Sequence, residues 1–226
     1  MPFMELNRKI RSVQIRHSHR FSYVRVLNKP DDWHCVGVGN SAAVFHCDTY
    51  PDIAIKVFSD RCSHIAQRES EVYGILGDSP FYPKLYGSGE NYLLLRYIPG
   101  QRVYDCLLEG TFIQEGIVSD IDQAVSYARQ CGLNPRNLHA KNILIHNGRG
   151  YVVDVSDYMK EGKCYHFDVL KYVYEKLYVA FYRPGMKMPF WLLESIRRGY
   201  RLTISFWRKH MTNKHHHRLN KTCPNG

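Results

Sequence analysis

The stretch "GLNPRNLHAKNILI" at residues 132–145, followed by "YVVDVSDY" at 151–158, decides how the chain is read. "NILI" and "YVVDV" are short β-prone runs. The "HNGRG" between them holds Asn147-Gly148, a pair suited to the left-handed residues of a tight hairpin turn. Upstream, "VSDIDQAVSYARQCG" places Ile121, Ala124, Val125 and Ala128 at helical spacing and ends on Gly132, which can close a helix C-terminus. Asn142 and Asp154 flank the apolar runs of the hairpin. A polar side chain at such a place either satisfies turn backbone or is held out for chemistry.

Working outward, 226 residues with 44% hydrophobic and 23% charged side chains predict one compact globular unit or two small lobes. No apolar run reaches the roughly 18 residues of a membrane-spanning helix, and the N-terminus lacks the apolar core of a signal peptide, so the expected location is cytoplasmic. Seven scattered cysteines (Cys35, Cys47, Cys62, Cys106, Cys131, Cys164 and Cys223), none in a C-x-x-C pair, argue against a disulfide framework and against a zinc site. The net charge of +10 belongs to the ends. Residues 1–29 carry seven Lys/Arg against Glu5 alone, and residues 195–226 carry eight with no acid, which leaves the middle at −4. Such ends are either solvated surface or a contact for an acidic protein, nucleic acid or an anionic membrane.

The first half reads as strands. "HCVGVGNSAAVFHC" predicts two strands around a glycine-containing turn, "DIAIKVF" sets Ile53, Ile55 and Val57 on one face, and "YLLLRYI" is a further buried strand. Ser63 is expected to start a helix running to about Leu76 with an apolar stripe of Ile65, Val72, Ile75 and Leu76. Gly37 and Gly39 suit a plain hairpin, and equally a loop whose backbone must approach a phosphate closely. Lys56 stands inside an apolar strand, where an unpaired ammonium would be costly. Its partner is expected at Glu69, with Glu71 as the alternative lying off the apolar stripe.

In that order and spacing, the pieces resemble the protein-kinase superfamily over residues 33–181. Residues 37–44, "GVGNSAAV", resemble its glycine-rich loop, with Ala42 in place of the third glycine, and "IAIK" resembles the V-A-I-K strand with Glu69 as helix partner. The resemblance implies an α+β, bilobal fold with a β-rich N-lobe and a reduced helical C-lobe. It implies ATP and Mg²⁺ between them, held around Gly37, Val38, Gly39, Val44, Ala54, Lys56 and Glu69, with Leu95 as gatekeeper and backbone near Arg96 and Ile98 receiving adenine. Asn142 and Asp154 would hold metal. Asn137, Asp154 and His139 are the catalytic candidates. The implied activity is ATP-dependent phosphoryl transfer to a hydroxyl, first of all on Ser/Thr.

Three departures qualify the likeness. H-R-D-L-x-x-x-N falls on residues 135–142, so Asn137 replaces the acidic proton acceptor; a neutral amide orients a hydroxyl but takes no proton, and losing a general base costs about 10²- to 10⁴-fold. His139, two residues on, is the alternative acceptor. D-F-G reads Asp154-Val155-Ser156, keeping the metal ligand and dropping the hinge glycine. From Asp154 to Asp168 there are only 14 residues and no A-P-E, which leaves a very short activation segment without a peptide-docking shelf. The likeness is therefore to minimal members: Rio-type, lipopolysaccharide-type sugar kinases and, above all, small bacterial Hanks-type kinase-like proteins. The rival readings are a pseudokinase acting as a nucleotide-binding interaction module, and a small-molecule kinase.

The expected organisation is a basic N-terminal extension (1–29), an N-lobe (30–98), a hinge at Pro99-Gly100 opening a C-lobe (99–207), and a basic His-rich tail (208–226). "FDVLKYVYEKLYVAF" predicts a C-lobe helix burying Phe167, Leu170, Tyr174, Leu177 and Phe181, and 190–207 is expected to be helical, packing on the lobe or meeting a membrane or partner. "KHHHR" at 214–218 is an adventitious metal patch at most.

Overall fold

The computed structural model describes residues 2–17, 23–162 and 166–195. Helix α1 (Pro2–Ser12) sets Leu6 and Ile10 on one face by their four-residue spacing, and both are buried. Strands β1 (Gln14–His17) and β2 (Val24–Asn28) form an antiparallel ribbon. Strands β3 (Trp33–Val38), β4 (Ala42–Cys47), β5 (Ile53–Phe58), β6 (Leu85–Ser88) and β7 (Tyr92–Arg96) build an antiparallel sheet in the order β3-β4-β5-β7-β6.

Strand alternation gives this sheet two cores. Ala43, Phe45, Ile55, Val57 and Leu94 point outward and are covered by Leu6 and Ile10 of α1 together with Trp33. Each fully buried aliphatic there is worth about 1.5–3 kcal/mol. Ala42, Ala54, Phe58, Leu93 and Leu95 point inward, toward helix α2 (Ser63–Leu76). The segment read from sequence as a basic extension thus supplies the lid of the outer core. That cover explains why β5 and β7 are apolar on both faces.

Helix α2 has the bounds its sequence predicts, closed by Gly77 at φ 61°, but its buried stripe is Ala66, Glu69, Val72, Tyr73 and Leu76. Ile75 is 47% exposed. Its expected place on the stripe is corrected by geometry: one residue is a 100° step, and Val72, Tyr73 and Leu76 already fill the inner arc.

Strand β8 (Gln101–Arg102) and helix α3 (Val103–Glu109) follow the hinge, then α4 (Glu115–Gln130), which Gly132 closes at φ 79°. Strands β9 (Ile143–His146) and β10 (Arg149–Val152) form the expected hairpin, with Asn147 at φ 49° and Gly148 at φ 70°. The hairpin is pinned to α4 by buried Asp120, which accepts from Arg149 Nε (2.9 and 3.1 Å) and from the Gly150 N–H (2.9 Å). A Cβ at residue 150 would lie 3.0 Å from the Ile117 carbonyl, so glycine permits this approach.

Helix α5 (His166–Val173) runs through a π-turn (Tyr174–Tyr178) into a last turn, Val179–Phe181. The wider turn rotates the buried stripe to Phe167, Tyr174 and Tyr178, leaving Leu177 at 50% and Phe181 at 66% exposure. Those two expected core positions are corrected accordingly. Residues 190–195 are helical; the rest of the expected 190–207 helix, the tail with "KHHHR", Cys164 and Cys223 lie outside the described residues. Among the described residues, no helix is long and apolar enough to cross a membrane.

Candidate functional site

Strand β5 aims Lys56 at the inner face with Ala54 and Phe58, where α2 meets the sheet. The ammonium donates to both Glu69 oxygens, at 2.7 and 2.6 Å, and lies 3.9 Å from Asp154 Oδ1. Lys56 is 8% exposed and Glu69 1%, whereas Glu71 faces solvent, so the expected pair forms and its alternative does not. Burial works against the Lys56 ammonium, but the Glu69 and Asp154 carboxylates outweigh it and hold the lysine above its ordinary range. Burial pushes the Glu69 carboxyl up to about 7 against the pull of Lys56.

Hairpin pairing explains why Asn142 and Asp154 meet. Ile143 pairs with Val152, and the Val153 N–H donates to the Asn142 carbonyl at 3.1 Å, so the residues beyond each strand share the open end. Asp154 Oδ1 accepts from the Ser156 N–H at 3.1 Å. Burial would raise the Asp154 carboxyl, but Lys56, the Ser156 hydrogen bonds and nearby His139 bring it below its ordinary value. It is therefore ionised at neutral pH. The Asn142 Nδ2 donates to the Asn137 carbonyl at 3.1 Å, which leaves its Oδ1 for a cation. Two hard oxygen donors at a cleft suit Mg²⁺, which keeps several waters and takes the rest of its shell from phosphates. Among the described residues no cluster of three His, Cys, Asp or Glu forms a self-sufficient metal site.

Asn137 adopts φ 57°, a left-handed conformation that Asn tolerates better than most residues. The loop bearing it is tied to the short segment after Asp154: Asn134 Nδ2 donates to the carbonyls of Lys160 (2.7 Å) and Gly162 (2.9 Å), and Arg136 to those of Glu161 and Gly162. Val155 and Tyr158 are buried in the core. These contacts tie the turn at Asp154 to the loop bearing Asn137 and to the core. His139 has its Nδ1 buried and borders a cavity of about 180 Å³ behind the loop, lined by α3, α4 and α5. This cavity is apolar and contains none of the residues expected to bind nucleotide.

The glycine loop spans the β3–β4 turn, where the Gly39 N–H donates to the Ala42 carbonyl at 2.8 Å. Neither glycine is demanded by the fold: a Cβ at Gly37 would meet Val44 at 3.8 Å, one at Gly39 the Ala42 carbonyl at 3.5 Å, and neither has positive φ. Bare backbone is thus exposed without a packing reason. Val38 is exposed, Val44 half-buried, Ala54 and Leu95 buried beneath. At the hinge, the Arg96 and Tyr97 N–H groups are used by Lys84 and Asp52, while the Ile98 N–H makes no hydrogen bond among the described residues.

Three contributors lie outside the set expected from the sequence. The Tyr73 hydroxyl, one turn after Glu69, donates to the Val153 carbonyl at 3.3 Å, linking α2 to the turn that carries Asp154. Burial pushes its phenol well above the ordinary range, so it stays a donor. Buried Glu194 lies 3.4 Å from the Lys141 ammonium, which sits 4.3 Å over the Tyr104 ring. Tyr23 reaches Lys141 across the cleft at 3.4 Å. An acid in the apolar run "FWLLES" was the available signal for Glu194, by the same logic that flagged Lys56.

No family model matches the chain. A protein of Bacillus subtilis (strain 168) named "Putative serine/threonine-protein kinase YrzF" is 34% identical to it over 183 residues, spanning 80% of this chain and 84% of that protein. Among solved structures, the Mycobacterium tuberculosis PknI kinase domain overlays 56% of this chain and 60% of its own, at 18% identity and a TM-score of 0.42. A structure of the Rad53 kinase domain and SCD2 overlays 55% of this chain and 50% of its own, at 20% identity and a TM-score of 0.44. These overlays are too partial to add weight to the sequence match.

Proposed function

The chain belongs to the protein-kinase superfamily, and from that premise we propose that its interlobe cleft binds Mg²⁺-ATP and transfers the γ-phosphoryl group to a hydroxyl, on the simplest reading that of a serine or threonine in a cytoplasmic protein. The observation that carries this reading is the Lys56–Glu69–Asp154 cluster, a buried cation held between two carboxylates of which one borders the cleft at 31% side-chain exposure. Glu69 fixes the ammonium. Lys56 then points a positive charge at the nucleotide phosphates, and the bare backbone of Gly37 and Gly39 lets them approach. Bound Mg²⁺ would neutralise charge on the transferred phosphoryl group, held by Asp154 and Asn142. Asn137 orients the acceptor hydroxyl by hydrogen bonding and leaves its proton to depart late, since phosphoryl transfer depends chiefly on positioning and charge.

Asn137 favours a second reading, a pseudokinase that binds nucleotide and turns over little. The short segment after Asp154 favours a small-molecule acceptor over a peptide. A thermal-shift titration with Mg²⁺-ATP, run beside a phosphate-transfer assay, separates these. Saturation to a hundred times Kd adds about 2.7 kcal/mol, or roughly 5–10 °C for a chain of this size. Asp154→Ala should abolish the shift. No shift in the unaltered protein would overturn nucleotide binding; a shift without transfer would select the pseudokinase.

A further inference from the structure

The β1–β2 ribbon carries an arrangement that the cleft chemistry does not use. Arg16 and Arg25 are direct cross-strand partners, both exposed, while Ile15 and Val26 turn inward to the outer core. Like charges directly opposite each other weaken a sheet. On α1, Arg8 and Arg11 lie one turn apart on the side away from Leu6 and Ile10, both exposed. The neighbouring acids Glu5 and Asp32 are both taken by Lys9, at 3.7 and 2.8 Å. All four arginines are therefore without an ion pair among the described residues. Tyr23 immediately precedes β2, two residues before Arg25, and is 42% exposed.

We propose that this ribbon and the outer face of α1 bind single-stranded nucleic acid, by guanidinium contacts to the phosphates and stacking of a base on Tyr23. Guanidinium forks match phosphate oxygens, and an aromatic beside arginines accepts any base by its π-face. A membrane surface fits less well, because Leu6 and Ile10 of α1 are committed to the core, which leaves the scattered Met4 and Leu27 as exposed aliphatic side chains rather than an apolar face to insert. The site adjoins the cleft: the Val24 N–H donates to the Gly39 carbonyl at 2.9 Å, and Tyr23 touches Lys141 of the catalytic loop. A bound strand would thus lie at the edge of the glycine loop.

The test is fluorescence anisotropy of the full chain with a labelled oligouridine of about 20 nucleotides across a salt series. Four phosphate contacts predict a slope of log K against log salt near −2.8, a roughly 50-fold loss of affinity from 50 to 200 mM. Arg16→Ala/Arg25→Ala should halve the slope, and Tyr23→Ala should weaken binding about ten-fold with little change in slope. Removing opposed like charges should leave the thermal midpoint of the double variant equal or higher, and Arg8→Ala/Arg11→Ala on the solvent face of α1 should repeat the slope change. No binding, binding unaltered in both double variants because the other basic end carries it, or equal capture by polyglutamate or phosphatidylserine vesicles would each overturn the proposal.

Discussion

Replacing Lys56 with methionine keeps most of the length of the side chain and deletes its charge, leaving Glu69 1% exposed with no cation beside it. Breaking a buried pair from one side costs about 3–5 kcal/mol when the remaining charge stays ionised. Here the remaining group can escape by taking a proton. In the intact protein the Glu69 carboxyl already sits at about 7, above its ordinary 4.5. Its contribution to stability is thus present at acid pH and is lost as pH rises from the unfolded value toward 7. In Lys56→Met the folded carboxyl rises further, so the variant holds a proton that both its unfolded state and the intact protein have released. Relative stability should then fall by about 1.4 kcal/mol per pH unit above 7, or roughly 2 kcal/mol between pH 7 and 8.5. Urea denaturation of the intact protein, Lys56→Met, Glu69→Gln and the double variant from pH 5.5 to 8.5 measures this. The double variant, with both charges gone, should recover most of the stability lost at pH 8.5 while failing to respond to Mg²⁺-ATP. A pH-independent loss in Lys56→Met, or a double variant whose losses simply add, would refute the reasoning.

Restoring the acid with Asn137→Asp should raise phosphate transfer by about 10²-fold or more with little effect on the Mg²⁺-ATP thermal shift, as a radiolabel transfer assay would read. Asp120→Ala strips the Gly150 N–H and Arg149 of their acceptor and should destabilise the fold by about 2–3 kcal/mol in urea melts. Tyr73→Phe removes one part-buried hydrogen bond and should cost about 1 kcal/mol. It should also speed amide exchange around Val153 more than in α4, which a uniform destabilisation would not do.

What the sequence made legible is what local rules control. The hairpin followed from Asn147-Gly148, the helix Ser63–Leu76 from its apolar spacing with Ile75 as the exception, and the Lys56–Glu69 pair from the cost of a charge in an apolar strand. What stayed hidden depends on partners distant in sequence. Leu6 and Ile10 look like isolated apolar residues in a basic segment until Trp33, Phe45 and Ile55 are placed against them. The π-turn that exposes Leu177 leaves no local mark, because the 3.6-residue period assumed in reading that helix is the quantity that changes. The role of Tyr73 was hidden because its hydroxyl's acceptor is a backbone carbonyl 80 residues away.

The bond between Tyr73 and Val153, with those from Asn134 and Arg136 to residues 160–162, joins α2, the Asp154 turn and the segment after it into one hydrogen-bonded piece. An inhibitor that gains affinity by swinging the turn outward and filling the space behind it would have to rupture that piece first, and its apparent affinity would fall by the rarity of the opened state. On the proposed function, compounds selected against this protein should therefore converge on the nucleotide's own footprint near the Ile98 N–H, and those shaped for a displaced turn should drop out of the screen.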